Sequence, residues 1–166
     1  MKNDRQLPSE LSEELVSPCG MNCGRCSGYL ALQHDVKNKG IRMPYCIGCR
    51  PRDKQCAFLK KRCKRLLQKK VDFCFECPEY PCRNLQHIDE RYRTFFHLSP
   101  LENLNFIKTH GVKKFLQRDY TQWKCSTCNE MICCHNGLCF QCKLDLLKVK
   151  KKLYRWDENS NNVVII

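Results

Sequence analysis

The sequence has no long apolar run, and this absence restricts what the chain can be. No apolar segment follows the basic start MKNDRQ, so we expect no signal peptide. The purely apolar runs are only a few residues long, so we expect no membrane-spanning helix. We therefore expect a cytoplasmic protein in which thiols stay reduced.

Familiar catalytic signatures are also missing. The sequence has no Gly-rich phosphate loop, no nucleophile elbow and no His–Glu pair at metalloprotease spacing. The segment SPCGMNCGRCSG has the Cys-x3-Cys-x2-Cys spacing of the cluster loop in radical S-adenosylmethionine enzymes. Such enzymes need a partial α/β barrel, whereas the residues after Cys26 contain cysteine-rich loops where strands and helices should alternate. An enzyme is the function that the sequence favours least.

Cysteine, in contrast, is abundant, with 16 in 166 residues. Dense cysteines in a reducing compartment indicate metal ligation rather than a disulfide framework. Ten lie between Cys19 and Cys82, and six lie between Cys125 and Cys142. The pattern predicts a small, metal-stapled, α-rich (α+β) protein, in which helices link zinc-knuckle or zinc-ribbon elements with short hairpins.

The two cysteine clusters also suggest how the chain is organised. Helices are predicted at 29–38, 55–70, 81–96, 100–109 and 112–123, and the VVII end could add a strand. The helix at 100 follows the capping box of Ser99 and Glu102, with Pro100 in its first position. The predicted units are a flexible arm at 1–16, an N-terminal multi-metal domain at 17–97, a helical connector at 98–124, a C-terminal zinc-ribbon-like module with a basic helix at 125–156, and a tail at 157–166.

The clearest metal-site prediction is at the C-terminal end. Two knuckles there give Cys-x2-Cys-x10-Cys-x2-Cys, a spacing that brings four thiolates into the tetrahedron of a structural zinc site. Asn129 after the first knuckle tolerates the left-handed conformation needed there. Cys133 or His135 could replace one of the four ligands. The predicted site 3 consists of Cys125, Cys128, Cys139 and Cys142.

A second pair of knuckles predicts a further four-thiolate site. Glycines inside both of these knuckles let backbone amides turn towards sulfur. Either Cys19 or Cys56 could substitute for a member of the set. The predicted site 1 consists of Cys23, Cys26, Cys46 and Cys49.

A tight loop stiffened by two prolines offers three more ligands. Cys56 and Cys63 are seven residues apart, so in one continuous helix they would lie about 10 Å apart along the axis. Thiolates on one zinc lie roughly 4 Å from each other, so these two cysteines would serve different centres unless the helix begins after Cys56. With Cys63 as the fourth ligand, the predicted site 2 consists of Cys63, Cys74, Cys77 and Cys82.

Basic residues are concentrated in one segment, between residues 37 and 70. The formal net charge is +13, and three zinc sites of four cysteines each would lower it to about +7. Residues 37–70 contain thirteen Lys or Arg and one acid. A face of this density attracts phosphate backbones, although a charge run is often only a solvated face. The candidate partner-binding residues are Arg50, Arg52, Lys60, Lys61, Arg62, Lys64, Arg65, Lys69 and Lys70.

Together these motifs resemble a known family. The pattern Cys19-Gly-x2-Cys23-x2-Cys26, Cys46-x-Gly-Cys49-Arg, the Cys56/Cys63 pair and Phe-Cys74-x2-Cys77-Pro-x-Tyr-Pro-Cys82 is similar to the uncharacterised, cysteine-rich prokaryotic domain-of-unknown-function family 3795. The resemblance covers roughly residues 17–120 and treats the C-terminal zinc-ribbon-like knuckles as an extension. It implies a small metal-binding protein of bacterial or archaeal type, with no established activity.

Two functions therefore compete. The first is a zinc-stapled binding module whose basic helix meets RNA, a ribosome or another acidic partner. The alternative is an iron–sulfur protein for electron transfer or redox sensing, with a [4Fe–4S] cluster in the N-terminal region, since charge alone does not separate zinc from a cubane. Paired knuckles favour zinc, at two to three sites, whereas the surplus cysteines favour the cluster.

Overall fold

The computed structural model describes residues 11–52 and 63–149, together with the backbone of two short strands beyond them. This part of the chain is rich in helix and has little strand, in agreement with the α-rich expectation. None of its cysteines forms a disulfide. No helix in it is long and apolar enough to cross a membrane. The elements are α1 (Ser27–Gln33), α2 (Lys64–Leu67), α3 (Arg83–Phe96), α4 (Pro100–His110), α5 (Val112–Trp123), α6 (Leu144–Val149), β1 (Tyr154–Trp156) and β2 (Val163–Ile165).

The central helices follow the sequence signals closely. The Ser99 hydroxyl accepts a hydrogen bond from the Glu102 amide at 3.0 Å, and Pro100 occupies the first turn, as the capping box predicts. Gly111, at φ 86°, ends α4 and leads directly into α5. The predicted helix at 112–123 has the observed bounds of α5.

The predicted basic helix at 55–70 is described only over α2, because residues 53–62 lie outside the described part of the chain. Cys56 lies there, as do Lys60, Lys61 and Arg62. Within α2, Leu66 is buried as expected, but Leu67 is 53% exposed. A continuous helix at 55–70 predicts that Leu66 and Leu67 both lie on its inward apolar stripe, and this prediction is wrong for Leu67.

Strand pairing also differs from the expectation. The structure gives no support to short hairpin strands at the C-terminal knuckles. In the described residues this region has only isolated bridges, Lys124 to Met131 and Ile132 to Cys139. The strand expected in the VVII end is present as β2, which pairs antiparallel with β1. The predicted basic helix of the C-terminal module is α6 as far as Val149, and Tyr154–Trp156 is a strand.

Two apolar cores hold the helices together. The first lies between α3, α4 and α5 and also takes in Leu11, Val16 and Cys134, so it crosses the predicted domain boundaries. The second packs α1 against the C-terminal knuckles and α6. Tyr120 of α5 packs against both. Helix α5 therefore fixes the C-terminal knuckles relative to the N-terminal cysteine region, and the domain boundaries themselves stay predictions.

Candidate metal centre

The four cysteines of predicted site 3 lie together in the structure. All four sulfur atoms lie within 4.8 Å of one another. Cys128 Sγ is 3.5 Å from Cys139 Sγ, and Cys125 Sγ is 4.0 Å from Cys142 Sγ. A tetrahedral zinc with Zn–S bonds of about 2.3 Å places its sulfurs about 3.8 Å apart. The spacing therefore fits a single metal ion bound by four thiolates.

The chain forms this cluster from two turns that follow α5. In the first, the Asn129 amide donates to the Cys125 carbonyl at 2.9 Å, and Asn129 adopts the left-handed φ of 64° predicted for it. In the second, the Lys143 amide donates to the Cys139 carbonyl at 2.9 Å and leads into α6. The Lys124–Met131 bridge closes the first turn, and the Ile132–Cys139 bridge joins the segment after it to the start of the second.

Backbone amides also point at the sulfur atoms. Burial opposes ionisation of Cys125, but amide donors from Cys128 and Thr127 outweigh it and lower the pKa of its thiol to about 6. Burial dominates at Cys139 and raises its pKa. The neighbouring Cys128 thiol, with burial second, raises the pKa of Cys142 to about 11. One thiolate thus forms easily, whereas the neighbouring thiols resist ionisation. A bound divalent cation removes the repulsion between the negatively charged sulfurs.

His135, a candidate substitute ligand, is not a member of this four-sulfur group. Its Nδ1 accepts a hydrogen bond from the Ser27 amide at 3.2 Å, and its Nε2 lies 3.1 Å from the Tyr92 hydroxyl oxygen. Cys133, the other candidate substitute, is fully buried in the second core. Site 3 therefore assembles from its four knuckle cysteines without either substitute.

Predicted site 1 is assembled in part. The Cys49 amide donates to Cys23 Sγ at 3.4 Å, which joins the first knuckle to the second. Cys46 Sγ accepts the Gly48 amide at 3.4 Å and the Arg52 guanidinium at 3.2 Å. The Cys26 thiol, in contrast, interacts with His135. The two candidate substitutes differ, since Cys19 is buried and 3.1 Å from the Ser17 hydroxyl, whereas Cys56 lies outside the described residues.

The cysteines of predicted site 2 line one loop and its flanking elements. Cys63 precedes α2, and Cys82 precedes α3. Cys74 begins a 3-10 turn, and its amide donates to the Pro18 carbonyl at 2.9 Å. The Cys77 amide bonds the Cys74 carbonyl at 3.2 Å. Of the described residues, only the C-terminal four form a group of three or more ligands with all donor atoms within 4.8 Å, so sites 1 and 2 stay predictions.

The candidate partner-binding residues have different surroundings. Arg50 donates to the Val16 carbonyl at 2.6 Å, pairs with Asp72 and lies over Phe73, so it holds the fold together. Arg65 is 3.7 Å from the Glu79 carboxylate. Lys64, Lys69 and Lys70 are exposed. Arg52 contacts Cys46, as described above, and Lys60, Lys61 and Arg62 fall outside the described residues.

Sequence reasoning missed a buried ion pair beside the first knuckle. Arg25 Nη1 is 3.1 Å from Asp119 Oδ1, and the two residues are only 2% and 5% exposed. Asp119 also accepts from Asn22 at 2.8 Å, and Arg25 donates to the Ile132 carbonyl at 3.2 Å. No periodicity in the sequence marks Arg25, since it occupies a variable position of the Cys-x2-Cys motif. Only the tertiary structure brings these partners together.

Comparison with known proteins agrees with the cysteine pattern. Residues 15–87 match the model of a family described as "Protein of unknown function (DUF3795)". The match ends within α3, short of the limit near residue 120 that the resemblance implied. No curated protein matches the chain, and no solved structure matches it. The four-sulfur cluster lies outside the matched segment.

Proposed function

We propose that this protein, whose residues 15–87 form a DUF3795 domain, is a metal-binding module in which the C-terminal cluster holds a structural zinc ion. The observation that supports this is the presence of all four sulfurs within 4.8 Å. Four cysteines complete the coordination shell of zinc and leave no open position for substrate. The ion would then join the end of α5 to α6.

The sulfur spacing favours one ion over a cubane cluster. In a [4Fe–4S] cluster each thiolate binds a different iron, so the ligand sulfurs are spread around the whole cluster. The separations of 3.5 Å and 4.0 Å suit a shared ion instead. The iron–sulfur alternative is retained for the N-terminal cysteines only.

Anaerobic purification followed by metal analysis and a visible spectrum tests the zinc assignment. We expect a colourless C-terminal site, and we expect Cys128→Ser to contain one zinc equivalent fewer than the unmodified protein. The control is Ser126→Ala, an exposed knuckle residue without a ligand sulfur. A full zinc content in Cys128→Ser, or an iron–thiolate band lost with it, would contradict the assignment. A brown colour that Cys128→Ser retains would instead support a cluster in the N-terminal region.

The proposed partner of the module is RNA, alone or in a ribosome. Residues 37–70 contain thirteen basic residues and one acid, and Lys64 and Lys70 are exposed beside the DUF3795 cysteines. Such a surface binds phosphates by releasing counterions, so the affinity falls with salt concentration. Another acidic partner, such as an acidic protein, is the competing outcome.

Charge reversal tests the RNA proposal. Lys64→Glu with Lys70→Glu should weaken binding to a single-stranded RNA and reduce the slope of log K against log salt by about 2, one for each phosphate contact. The control, Lys108→Glu with Lys114→Glu, changes the net charge equally at exposed positions on α4 and α5. Equal losses in both variants would mean that only net charge matters. Unchanged binding would leave this surface as a solvated face.

A further inference from the structure

A second group of ligand side chains lies where the C-terminal extension meets the DUF3795 domain. The segment 133–135, Cys-Cys-His, packs against the residues that end the first knuckle. The Cys134 amide donates to the Arg25 carbonyl at 2.8 Å, and the Ser27 amide donates to His135 Nδ1 at 3.2 Å. These two bonds hold the two segments side by side.

Three thiols surround the imidazole of His135. Cys134 Sγ lies 3.7 Å from Nδ1. The thiols of Cys26 and Cys133 also lie close enough to interact with the imidazole. Three sulfurs and one ring nitrogen form a Cys3His set, which is a common ligand set of structural zinc.

The far side of the imidazole is already oriented as a metal ligand requires. Nε2 lies 3.1 Å from the Tyr92 hydroxyl, and the Phe96 ring packs edge-on against the imidazole at 5.1 Å between centroids. A histidine that ligates through Nδ1 carries its proton on Nε2 and donates it to a neighbouring oxygen. Tyr92 supplies that oxygen.

We propose that Cys26, Cys133, Cys134 and His135 bind a zinc-class divalent ion that fastens the C-terminal extension to the DUF3795 domain. This junction site is independent of the four-cysteine centre, because the two share no residue. It also removes Cys26 from predicted site 1, where Cys19 is the remaining candidate among the described residues.

Binding requires a local rearrangement. Only the C-terminal four have all donor atoms within 4.8 Å among the described residues, so the junction thiols must rotate towards Nδ1. The ion takes the Nδ1 lone pair that now accepts the Ser27 amide. That amide then becomes available to a thiolate, the same bond that the Cys49 amide makes to Cys23.

The same residues also resemble a thiol nucleophile with a histidine base. Burial argues against this, because Cys133 and Cys134 are 0% and 1% exposed and a substrate would have to reach them. A structural ion needs no such access. Chemical modification separates the two possibilities, since a bound metal protects thiolates from alkylation.

Cadmium-113 NMR of the reduced full-length protein tests the proposal without any mutation. We expect a resonance from a mixed sulfur–nitrogen site in addition to the four-sulfur resonance. His135→Asn should abolish the first and spare the second, whereas Cys128→Ser should do the reverse. The matched control is His110→Asn, at an exposed histidine at the end of α4, which should change neither.

A milder variant keeps every ligand. Tyr92→Phe should weaken zinc binding at the junction by about 10- to 100-fold, because the imidazole loses its orienting oxygen. The proposal is overturned if the wild-type protein gives no mixed-ligand resonance. It is also overturned if zinc leaves the alkylation rate of Cys26 by iodoacetamide unchanged, and fast alkylation in both states would identify a nucleophile instead.

Discussion

Two glycines with similar backbone angles have opposite surroundings. Gly20 has φ 86° in the loop before the first knuckle, and Gly40 has φ 82° after α1. A Cβ on Gly20 would lie 2.7 Å from the Pro100 carbonyl oxygen and 2.8 Å from Leu104 Cγ, whereas a Cβ on Gly40 would meet nothing within 4 Å. A side chain would therefore strain the backbone at both positions, but it would be crowded against α4 only at Gly20.

This pair predicts a ranked loss of stability. Gly40→Ala should lower the free energy of unfolding by about 1–2 kcal/mol, the cost of a Cβ at positive φ. Gly20→Ala should lower it by roughly a further 1–3 kcal/mol because the loop or α4 must move. Urea denaturation of the two variants measures the difference. Equal losses would mean that the loop adapts without strain against α4.

At the scale of elements, helix α4 has its start fixed by one serine. The Ser99 hydroxyl accepts the Glu102 amide at 3.0 Å and donates to Asp89 Oδ1 at 2.6 Å. Arg93 reaches both Asp89 and the Ser99 oxygen, at 2.6 Å and 3.1 Å. The same hydroxyl therefore caps α4 and ties it to α3.

Removal of this hydroxyl should destabilise the protein more than the loss of an ordinary helix N-cap does. Ser99→Ala should cost about 1 kcal/mol for the cap and roughly another 1–3 kcal/mol because the buried Asp89 loses a donor. Ser99→Thr is the control, since it keeps the hydroxyl. Urea unfolding measures the free energy of unfolding of both variants. A loss of only a few tenths of a kcal/mol in Ser99→Ala would refute the link to α3.

Sequence predicted those elements whose signals are local. The capping box at Ser99 and the apolar residues that recur at helical spacing within 112–123 predicted α4 and α5 with bounds within a residue. The prediction of a helix at 29–38 was wrong in its bounds, since it started too late and ran too long. Helix α1 begins at Ser27, beside the knuckle, and ends at Gln33. The C-terminal centre was predictable because its four ligands are close in sequence. His135 was not, because its partners Ser27 and Tyr92 become neighbours only through tertiary packing.

At the scale of the whole molecule, a buried ion pair joins the segment that matches the DUF3795 model to helix α5. Arg25 comes from the first knuckle and Asp119 from α5, and the Arg25 guanidinium also lies 4.4 Å from the centre of the Trp123 ring. A buried ion pair offsets its large desolvation cost only when its remaining hydrogen-bonding groups are satisfied. Asn22 and the Ile132 carbonyl fill that role.

Removal of one partner of this ion pair should therefore lower the free energy of unfolding more than replacement of both partners by apolar residues. Arg25→Met should lower the free energy of unfolding by about 3–5 kcal/mol, because Asp119 is left charged and buried. The double variant Arg25→Met with Asp119→Leu should recover most of that loss. Urea unfolding of the metal-loaded protein provides the double-mutant cycle, and additive losses would show that the two charges do not interact.

The contact of Arg25 with Trp123 also provides an intrinsic fluorescence probe of the protein. Trp123 lies two residues before the first ligand of the four-cysteine centre, and its carbonyl accepts the Ile132 amide at 2.9 Å. The chain has one other tryptophan, Trp156, so Trp156→Phe leaves a single indole between the cation and the centre. Its fluorescence would report the assembly of the centre in unlabelled protein.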